Sequence, residues 1–386
     1  MSFKRHFVLA AGGTGGHMIP AHALAAELLR RGHRVALITD ERGERIPGLF
    51  EGVQTHVLPS GRVRGGPLGW LRAARDIRAG RERARRLYEA FHPAAVVGFG
   101  GYPALPALLA ALTDKIPTIV HEQNAVLGRV NRLLARRVDA IATAYPEIDR
   151  LKLRYMDKAW LVGNPVRDEV RLLRESPYPA LLPEGIFRIL VTGGSQGASI
   201  LSEVVPEALG MLPLTFRRRM QVTQQCRPED IEGVRRRYAA MGVPADLATY
   251  LPDLPARLGW AHLVIARAGA STIAELTTVG RPAILVPYPS ATDNHQVANV
   301  REIVAAGGAR SILQRQFNAV ELAKQMQKLA LDPEALTNAA HCAHKVGRPD
   351  AAERLADLVE SIGHTPVMDG IGDAESESGQ YRGAFA

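Results

Sequence analysis

The chain has 386 residues, which is too long for one ordinary hydrophobic core and suits two compact domains. A hydrophobic fraction of 46% is typical of a globular protein, and a formal net charge of +9 favours anionic partners such as phosphorylated substrates or an acidic membrane surface. Aromatic residues make up only 5% of the chain, which is a low fraction for a protein that stacks nucleic-acid bases, so we expect no nucleic-acid partner.

Short apolar runs alternate with helix-length segments along the N-terminal half. The predicted strands there are residues 7–11, 35–39, 94–98, 118–121 and 140–144. The first run is shorter than a signal-peptide core and passes straight into a glycine turn, so we interpret it as a strand. A helix follows, with Pro20 near its start and Gly32 just past its end. The longest apolar stretch, residues 103–112, is too short to cross a membrane, so any membrane contact is expected to be peripheral.

The same alternation continues in the C-terminal half, where the predicted strands are residues 188–192, 221–225, 263–266 and 283–286. Strands that alternate with helices predict parallel sheets built of βαβ units. Residues 8–13 also resemble residues 189–194, and each segment is a strand that enters a glycine turn. This weak internal repeat predicts an α/β fold with two Rossmann-like, doubly wound domains.

The predicted domain boundary lies near Asn164. It gives an N-terminal domain of residues 1–164 and a C-terminal domain of residues 165–346. A helix over residues 347–362 is expected to pack back on the N-terminal domain. Residues 363–386 are rich in Gly, Ser, Asp and Glu without periodic apolar positions, which predicts a disordered tail.

Two cysteines, Cys226 and Cys342, lie far apart in no paired-cysteine motif. This pattern favours a reducing cytoplasm over a disulfide framework or a zinc ribbon. His341 and His344 flank Cys342, but the stretch is alanine-rich and helical with no further soft ligand nearby, so we expect no metal site.

The two glycine turns, residues 12–16 and 193–197, are candidate phosphate sites, because a helix entered through glycines exposes unpaired N–H groups and the positive end of its dipole. Glycines at such a turn can also serve only tight packing. The dinucleotide spacing fails, since Met18 and Ser199 stand where a third glycine is required. Asp40, which ends the second predicted strand, keeps a ribose contact open as a weak alternative.

His17 directly follows the first turn. Its imidazole titrates near neutral pH, so it can take a proton from a substrate hydroxyl. A helix-capping or phosphate-binding role is the alternative, and position alone does not choose between them.

Seven motifs occur in order, at residues 12–17, 98–102, 121–124, 163–167, 193–198, 267–270 and 293–296. Together they resemble the MurG family, which transfers N-acetylglucosamine from UDP-N-acetylglucosamine to undecaprenyl-pyrophosphoryl-N-acetylmuramyl-pentapeptide in peptidoglycan synthesis. The resemblance implies the GT-B arrangement, in which two Rossmann-like domains face a cleft. It also implies an inverting transfer without a metal or other cofactor, at the cytoplasmic face of the cell membrane.

The resemblance places the donor chiefly on the C-terminal domain. Arg167 and Ser195 are expected at its pyrophosphate, Leu251 at the uracil through its backbone, and Glu275 at the ribose hydroxyls. The residues before Glu275 also belong to the implied donor site: Ala270, Ser271, Thr272, Ile273 and Ala274. The sugar contacts implied are Asn124, His295 and Gln296. Without the resemblance, Glu275 would be interpreted as a solvated helix residue.

The acceptor's pyrophosphate is expected to face two turns of the N-terminal domain, composed of Thr14, Gly15 and Gly16 and of Gly100, Gly101 and Tyr102. His17 is the first candidate for the base that deprotonates the attacking hydroxyl, and Glu122 is the second. The chain departs from the family pattern at Ala104, where a Ser or Thr is common, so a hydroxyl contact is missing or supplied elsewhere.

Residues 62–86 are rich in arginine. The arginines of this stretch beyond its first residues are Arg72, Arg75, Arg78, Arg81, Arg83, Arg85 and Arg86. A predicted helical core stripe consists of Leu71, Ala74, Ile77, Ala84, Leu87 and Phe91. The basic face can simply be solvated, but Leu68, Trp70 and Leu71 beside it also suit an anionic membrane surface. A lipid-linked acceptor favours the second interpretation.

Three alternatives stay open. A UDP-N-acetylglucosamine 2-epimerase has the same arrangement of domains, although its usual Gly-Thr-Arg-Pro-Glu signature is absent here. A nucleotide-sugar sensor would bind without turnover. A more distant possibility is transfer to a diacylglycerol acceptor.

Overall fold

The computed structural model of the chain describes residues 4–13, 15–45, 49–60, 66–182, 184–194, 197–330 and 332–364. The side chains of residues 67, 68 and 330 are outside that description, and Leu68 of the predicted membrane patch is among them. Nearly all of the predicted disordered tail, from residue 365 onward, also lies outside the described residues.

The N-terminal half forms a sheet of seven parallel strands in the order β3-β2-β1-β4-β5-β6-β7. Its strands are β1 (His6–Ala10), β2 (Arg34–Thr39), β3 (Gln54–Val57), β4 (Ala95–Gly98), β5 (Thr118–Glu122), β6 (Ala140–Thr143) and β7 (Ala159–Leu161). We call this sheet and its helices the N-terminal unit. The central strands are buried on both faces, which is why they read as continuous apolar runs in the sequence.

The C-terminal half forms a second parallel sheet, of six strands in the order β10-β9-β8-β11-β12-β13. Its strands are β8 (Phe187–Thr192), β9 (Met220–Gln225), β10 (Ala245–Ala248), β11 (Leu263–Ala266), β12 (Ala283–Leu285) and β13 (Ala309–Ser311). We call it, with its helices, the C-terminal unit. The prediction of two doubly wound parallel sheets is confirmed.

Helices connect the strands. They are α1 (Gly15–Arg30), α2 (Glu41–Glu44), α3 (Gly66–Phe91), α4 (Gly101–Thr113), α5 (Arg129–Leu134), α6 (Asp168–Leu172), α7 (Ser199–Gly210), α8 (Leu214–Arg217), α9 (Ile231–Ala240), α10 (Leu254–Trp260), α11 (Ala270–Val279), α12 (His295–Asn299), α13 (Arg301–Ala305), α14 (Ala319–Ala330), α15 (Pro333–Val346) and α16 (Ala351–Ile362). The first helix begins at Gly15, within the glycine turn of residues 12–16, and Pro20 lies inside it instead of near its start. Within the described part of the chain, no helix is both long and apolar enough to cross a membrane.

Helix α3 packs on α4 through small side chains. Its buried positions include Ala73, Gly80 and Ala84, and a side chain at Gly80 would overlap the carbonyl oxygen of Pro59. The predicted core stripe is therefore wrong at its start, because the close approach at Gly80 turns Leu71 outward, where it is 68% exposed. Ala74 is likewise exposed, whereas the other predicted stripe residues, Ile77, Ala84, Leu87 and Phe91, pack into the N-terminal unit.

Helix α16 lies against the N-terminal unit. Leu355 and Val359 belong to the same buried cluster as Phe7 of β1. Arg31, at the end of α1, donates to Asp357 at 2.6 Å and to Glu360 at 2.7 Å. The chain therefore passes from the N-terminal unit to the C-terminal unit and back again. A domain boundary at Asn164 stays a prediction.

Replacing Leu355 with Ala tests the packing of α16. Leu355 is fully buried, so we expect Leu355→Ala to lower the free energy of unfolding by about 2 to 5 kcal/mol in urea denaturation. Leu153→Ala is the matched control, because Leu153 is 89% exposed and its loss should change stability by less than about 0.5 kcal/mol. Equal unfolding midpoints for the two variants would contradict the packing.

Candidate functional site

A cleft with a volume of about 220 Å³ lies between the two sheets. Its walls include His17, the turn at Gly100, the segment 122–131 that follows β5, and the stretch 292–295 of the C-terminal unit. The strand order reverses between β1 and β4, so the turns after these strands diverge and leave a crevice at the carboxyl edge of the sheet.

His17 lies in the first turn of α1. Its ring packs on the backbone of the turn formed by Gly100 and Gly101. A Cβ placed on Gly100 would lie 3.6 Å from Cε1 of His17, which is van der Waals contact, and the φ of 83° at Gly100 favours glycine. Nδ1 of His17 lies 3.1 Å from Oε1 of Gln123. Burial lowers the pKa of His17, and the hydrogen bond with Gln123 and the nearby backbone of Phe99 act in the opposite sense. The imidazole is therefore neutral at neutral pH and able to accept a proton.

Glu122 is buried at the end of β5, and both of its carboxylate oxygens are occupied. Oε1 accepts from the backbone and side-chain nitrogens of Asn124, at 3.1 and 3.3 Å. Oε2 accepts from the backbone of Gly128 at 2.7 Å and from Nδ2 of Asn131 at 2.9 Å. Burial raises the pKa of Glu122, and these donors lower it. The carboxylate thus shapes the loop of residues 124–131, and the geometry favours His17 over Glu122 as a proton acceptor.

The sugar-contact residues implied by the sequence lie on both sides of the cleft. Asn124 and His295 line it, and Nδ1 of His295 lies 2.8 Å from the carbonyl of Thr292. Gln296 accepts a hydrogen bond from the backbone of Tyr288 at 2.9 Å and does not line this cleft.

Hydrogen bonds and ion pairs across the cleft join the units, and sequence reasoning did not name Asn299 or Asp293 as residues that make them. Asn299 is fully buried, with its amide nitrogen 3.1 Å from Oδ1 of Asn124. Asp293 pairs with Arg132 at 2.7 Å and with Arg150 at 2.9 Å. Asp293 belongs to the motif at residues 293–296, so the sequence marked it, whereas nothing in the sequence distinguished Asn299.

The predicted ribose residue Glu275 is buried and pairs with Arg167 at 2.9 Å, so the interpretation of Glu275 as a solvated helix residue is wrong. Burial raises the pKa of Glu275, and the charge of Arg167 opposes that shift. Nε of Arg167 is buried and has no hydrogen-bond partner among the residues described. The pair therefore has an unused donor close to a buried carboxylate.

The other implied donor residues occupy the start of α11 and its neighbourhood. Ser271 and Thr272 are partly buried, whereas Ala270, Ile273 and Ala274 line a smaller cavity, of about 30 Å³, between the two units. Leu251 is buried ahead of α10.

The two glycine turns require glycine on conformational grounds. Gly13 has a φ of 86° and Gly194 a φ of 78°, values that favour glycine. Thr14 and Ser195 lie outside the described residues. Asp40 accepts from the backbone of Gly13 at 2.9 Å and from Arg42 at 2.9 Å, so its carboxylate holds the turn, which argues against the ribose alternative.

The implied acceptor turn lies at the start of α4. Gly100 and Gly101 have φ angles of 83° and 74°, and Tyr102 is exposed beside them. Gly15 and Gly16, which directly precede His17 in the sequence, are the first two residues of α1. Ala104 is fully buried, so it does not present its side chain to the cleft.

Comparison with known proteins follows the same division of the chain. Residues 7–143 match the Glycosyltransferase family 28 N-terminal domain, and residues 188–355 match the Glycosyltransferase family 28 C-terminal domain. The UDP-N-acetylglucosamine--N-acetylmuramyl-(pentapeptide) pyrophosphoryl-undecaprenol N-acetylglucosamine transferase of Zymomonas mobilis is 67% identical over the whole of both chains. The protein of the same name from Brucella canis is 47% identical, over 92% of this chain and 93% of the relative.

Solved structures agree in fold. The crystal structure of Acinetobacter baumannii MurG superposes with a TM-score of 0.72 at 28% identity, over 92% of this chain and 99% of that one. The Neisseria meningitidis UDP-GlcNAc 2-epimerase, with a TM-score of 0.60 at 15% identity over 93% of this chain and all of that one, shares the fold alone. The predicted GT-B arrangement is confirmed. From the two domain matches and the full-length relatives, the chain belongs to glycosyltransferase family 28 and, within it, to the MurG family.

Proposed function

We propose that the chain transfers N-acetylglucosamine from UDP-N-acetylglucosamine to undecaprenyl-pyrophosphoryl-N-acetylmuramyl-pentapeptide. The observation that carries the proposal is the cleft in which neutral His17 of the N-terminal unit faces His295 of the C-terminal unit, in a chain of this family. Such a cleft can admit an acceptor from one side and a nucleotide sugar from the other.

The proposed reaction is a single displacement. His17 takes the proton of the acceptor hydroxyl, whose oxygen attacks the anomeric carbon of the donor. The bond between that carbon and the UDP oxygen breaks, and UDP leaves with the electron pair, so the configuration inverts. No covalent sugar-enzyme intermediate forms.

The departing diphosphate needs fixed positive charge and hydrogen-bond donors. Arg167 supplies a guanidinium with its Nε free for an acceptor, and the glycine turn before α7 adds backbone N–H groups and the helix dipole. Glu275 is held by Arg167, and its proposed role is to accept hydrogen bonds from the ribose diol. This arrangement supports an inverting transfer that requires no metal.

We further propose peripheral binding to the anionic cytoplasmic leaflet, where the lipid-linked acceptor resides. Trp70 and Leu71 are 66% and 68% exposed at the start of α3, and exposed arginines follow them. Helix α3 packs on α4, which begins at the implied acceptor turn. A lipid anchored at this patch would therefore reach the cleft from the N-terminal unit.

Product analysis tests the reaction. The protein is incubated with labelled UDP-N-acetylglucosamine, with and without the undecaprenyl muramyl-peptide lipid, and label, UDP and epimer are followed. We expect label in the lipid and UDP release that depends on the acceptor. Epimer without acceptor would instead support the 2-epimerase, and binding without turnover would support a nucleotide-sugar sensor.

Replacing His17 tests the base. We expect His17→Ala to lower kcat by about 10² to 10⁴-fold, because no positioned group then takes the proton. The base works only when neutral, so wild-type kcat/KM should fall as pH decreases through the His17 pKa, which burial holds below its ordinary value of 6.5. His341→Ala, which removes an exposed histidine of α15, is the control and should leave both unchanged. Near-normal turnover of His17→Ala would move the role to Glu122 or elsewhere.

Vesicle co-sedimentation tests the membrane patch. Trp70→Glu combined with Arg72→Glu and Arg75→Glu should abolish binding to anionic vesicles, since each basic side chain contributes about 1 kcal/mol near such a surface. Trp160→Glu, which alters an exposed tryptophan of the edge strand β7, should keep binding. Undiminished binding by the triple variant would refute this patch.

A further inference from the structure

A chain of buried hydrogen bonds runs from a backbone carbonyl to His17. Nε2 of His121 lies 2.9 Å from the carbonyl oxygen of Gly163. Nε2 of Gln123 lies 3.0 Å from Nδ1 of His121, and Oε1 of Gln123 lies 3.1 Å from Nδ1 of His17. His121 is fully buried and Gln123 nearly so, so water does not compete for these groups.

The carbonyl oxygen of Gly163 fixes the proton of His121, because a carbonyl can only accept. His121 must therefore donate from Nε2, and burial lowers its pKa to about 4, so the ring is neutral and Nδ1 is an acceptor. Gln123 donates to that Nδ1. The same amide nitrogen lies 3.2 Å from the carbonyl oxygen of His121, a second group that only accepts. Two acceptors thus fix which end of the Gln123 amide carries the nitrogen.

The amide oxygen of Gln123 then faces His17 and can only accept. Nδ1 of His17 must carry the proton, which leaves the lone pair on Nε2. Nε2 also lies next to the acceptor turn, 3.4 Å from a Cβ built on Gly101. The basic nitrogen is therefore on the side of the ring where the acceptor hydroxyl is expected.

We propose that Gln123 is the positioning residue of the base: it holds the neutral His17 in the tautomer that has Nε2 free. The inference rests on the proposed function, in which His17 takes the proton. The other groups that face the ring are His295 across the cleft, His121 behind Gln123 and the backbone of Phe99. The carboxylate of Glu122 is occupied by the loop after β5.

Two substitutions at Gln123 separate orientation from charge. Gln123→Leu removes the acceptor, so both tautomers become available, and we expect kcat to fall by about 10²-fold or more with little change in KM for UDP-N-acetylglucosamine. Gln123→Glu keeps an acceptor oxygen and adds a negative charge beside Nδ1. Gln123→Glu should retain turnover at high pH. The added charge should raise the His17 pKa, so the pH below which kcat/KM falls should increase by about one unit or more.

Gln224→Leu is the matched control. Gln224 is a fully buried glutamine of β9 in the other unit, so its loss has a similar packing cost without touching His17. Its pH profile should equal that of the wild type. Thermal melts of all variants show whether a loss of turnover reflects unfolding.

Nitrogen-15 NMR of histidine-labelled protein reads the tautomer directly and needs no substrate. Wild-type His17 should carry its proton on Nδ1 at pH 7, and Gln123→Leu should populate the form protonated on Nε2. A wild-type proton on Nε2, or Gln123→Leu with an unchanged tautomer and full kcat, overturns the proposal. If the proposed function is wrong, wild-type protein will put no label into the lipid. The NMR experiment needs no turnover, so it still decides whether Gln123 sets the tautomer of His17.

Discussion

Parallel strand direction is the constraint on which the rest of this molecule depends. Every pairing between the assigned strands is parallel, so the turns that leave the carboxyl ends of the strands collect at one edge of each sheet. In both sheets the order reverses beside the strand that enters a glycine turn, β1 in the first and β8 in the second. The reversal opens a crevice at that point. His17 meets the turn at Gly100 because the two turns flank the crevice of the first sheet.

The sequence pattern predicted the interior strands of each sheet but not the edge strands. The strands that it did not predict are β3, β7, β10 and β13, which are the edge strands of the two sheets. An interior strand is apolar on both faces and stands out as a run, whereas an edge strand such as β10 is only partly buried and mixes polar with apolar residues. The error at Leu71 has a related cause, because helical periodicity does not reveal which face a neighbouring chain approaches.

The site was predictable where a motif marked it. His17 was found because it follows the first glycine turn, and the family resemblance supplied Glu122, Arg167 and Glu275. What Glu122 does could not be read from the sequence, since its donors come from a loop whose shape depends on the carboxylate itself. Cross-unit contacts such as that of Asn299 with Asn124 join residues 175 positions apart, and no local pattern encodes them.

The return of α16 to the N-terminal unit has a mechanical consequence. Two bodies joined by two segments of chain have less relative freedom than two bodies joined by one. The crossings are adjacent here, since a Cβ on Gly163 would lie 2.9 Å from Cβ of Ala351. Any change in the separation of His17 from His295 must therefore be accommodated at these two crossings and at the contacts of Asn299 and Asp293 across the cleft. Gly163, whose carbonyl ends the hydrogen-bond chain to His17, lies at one of these crossings.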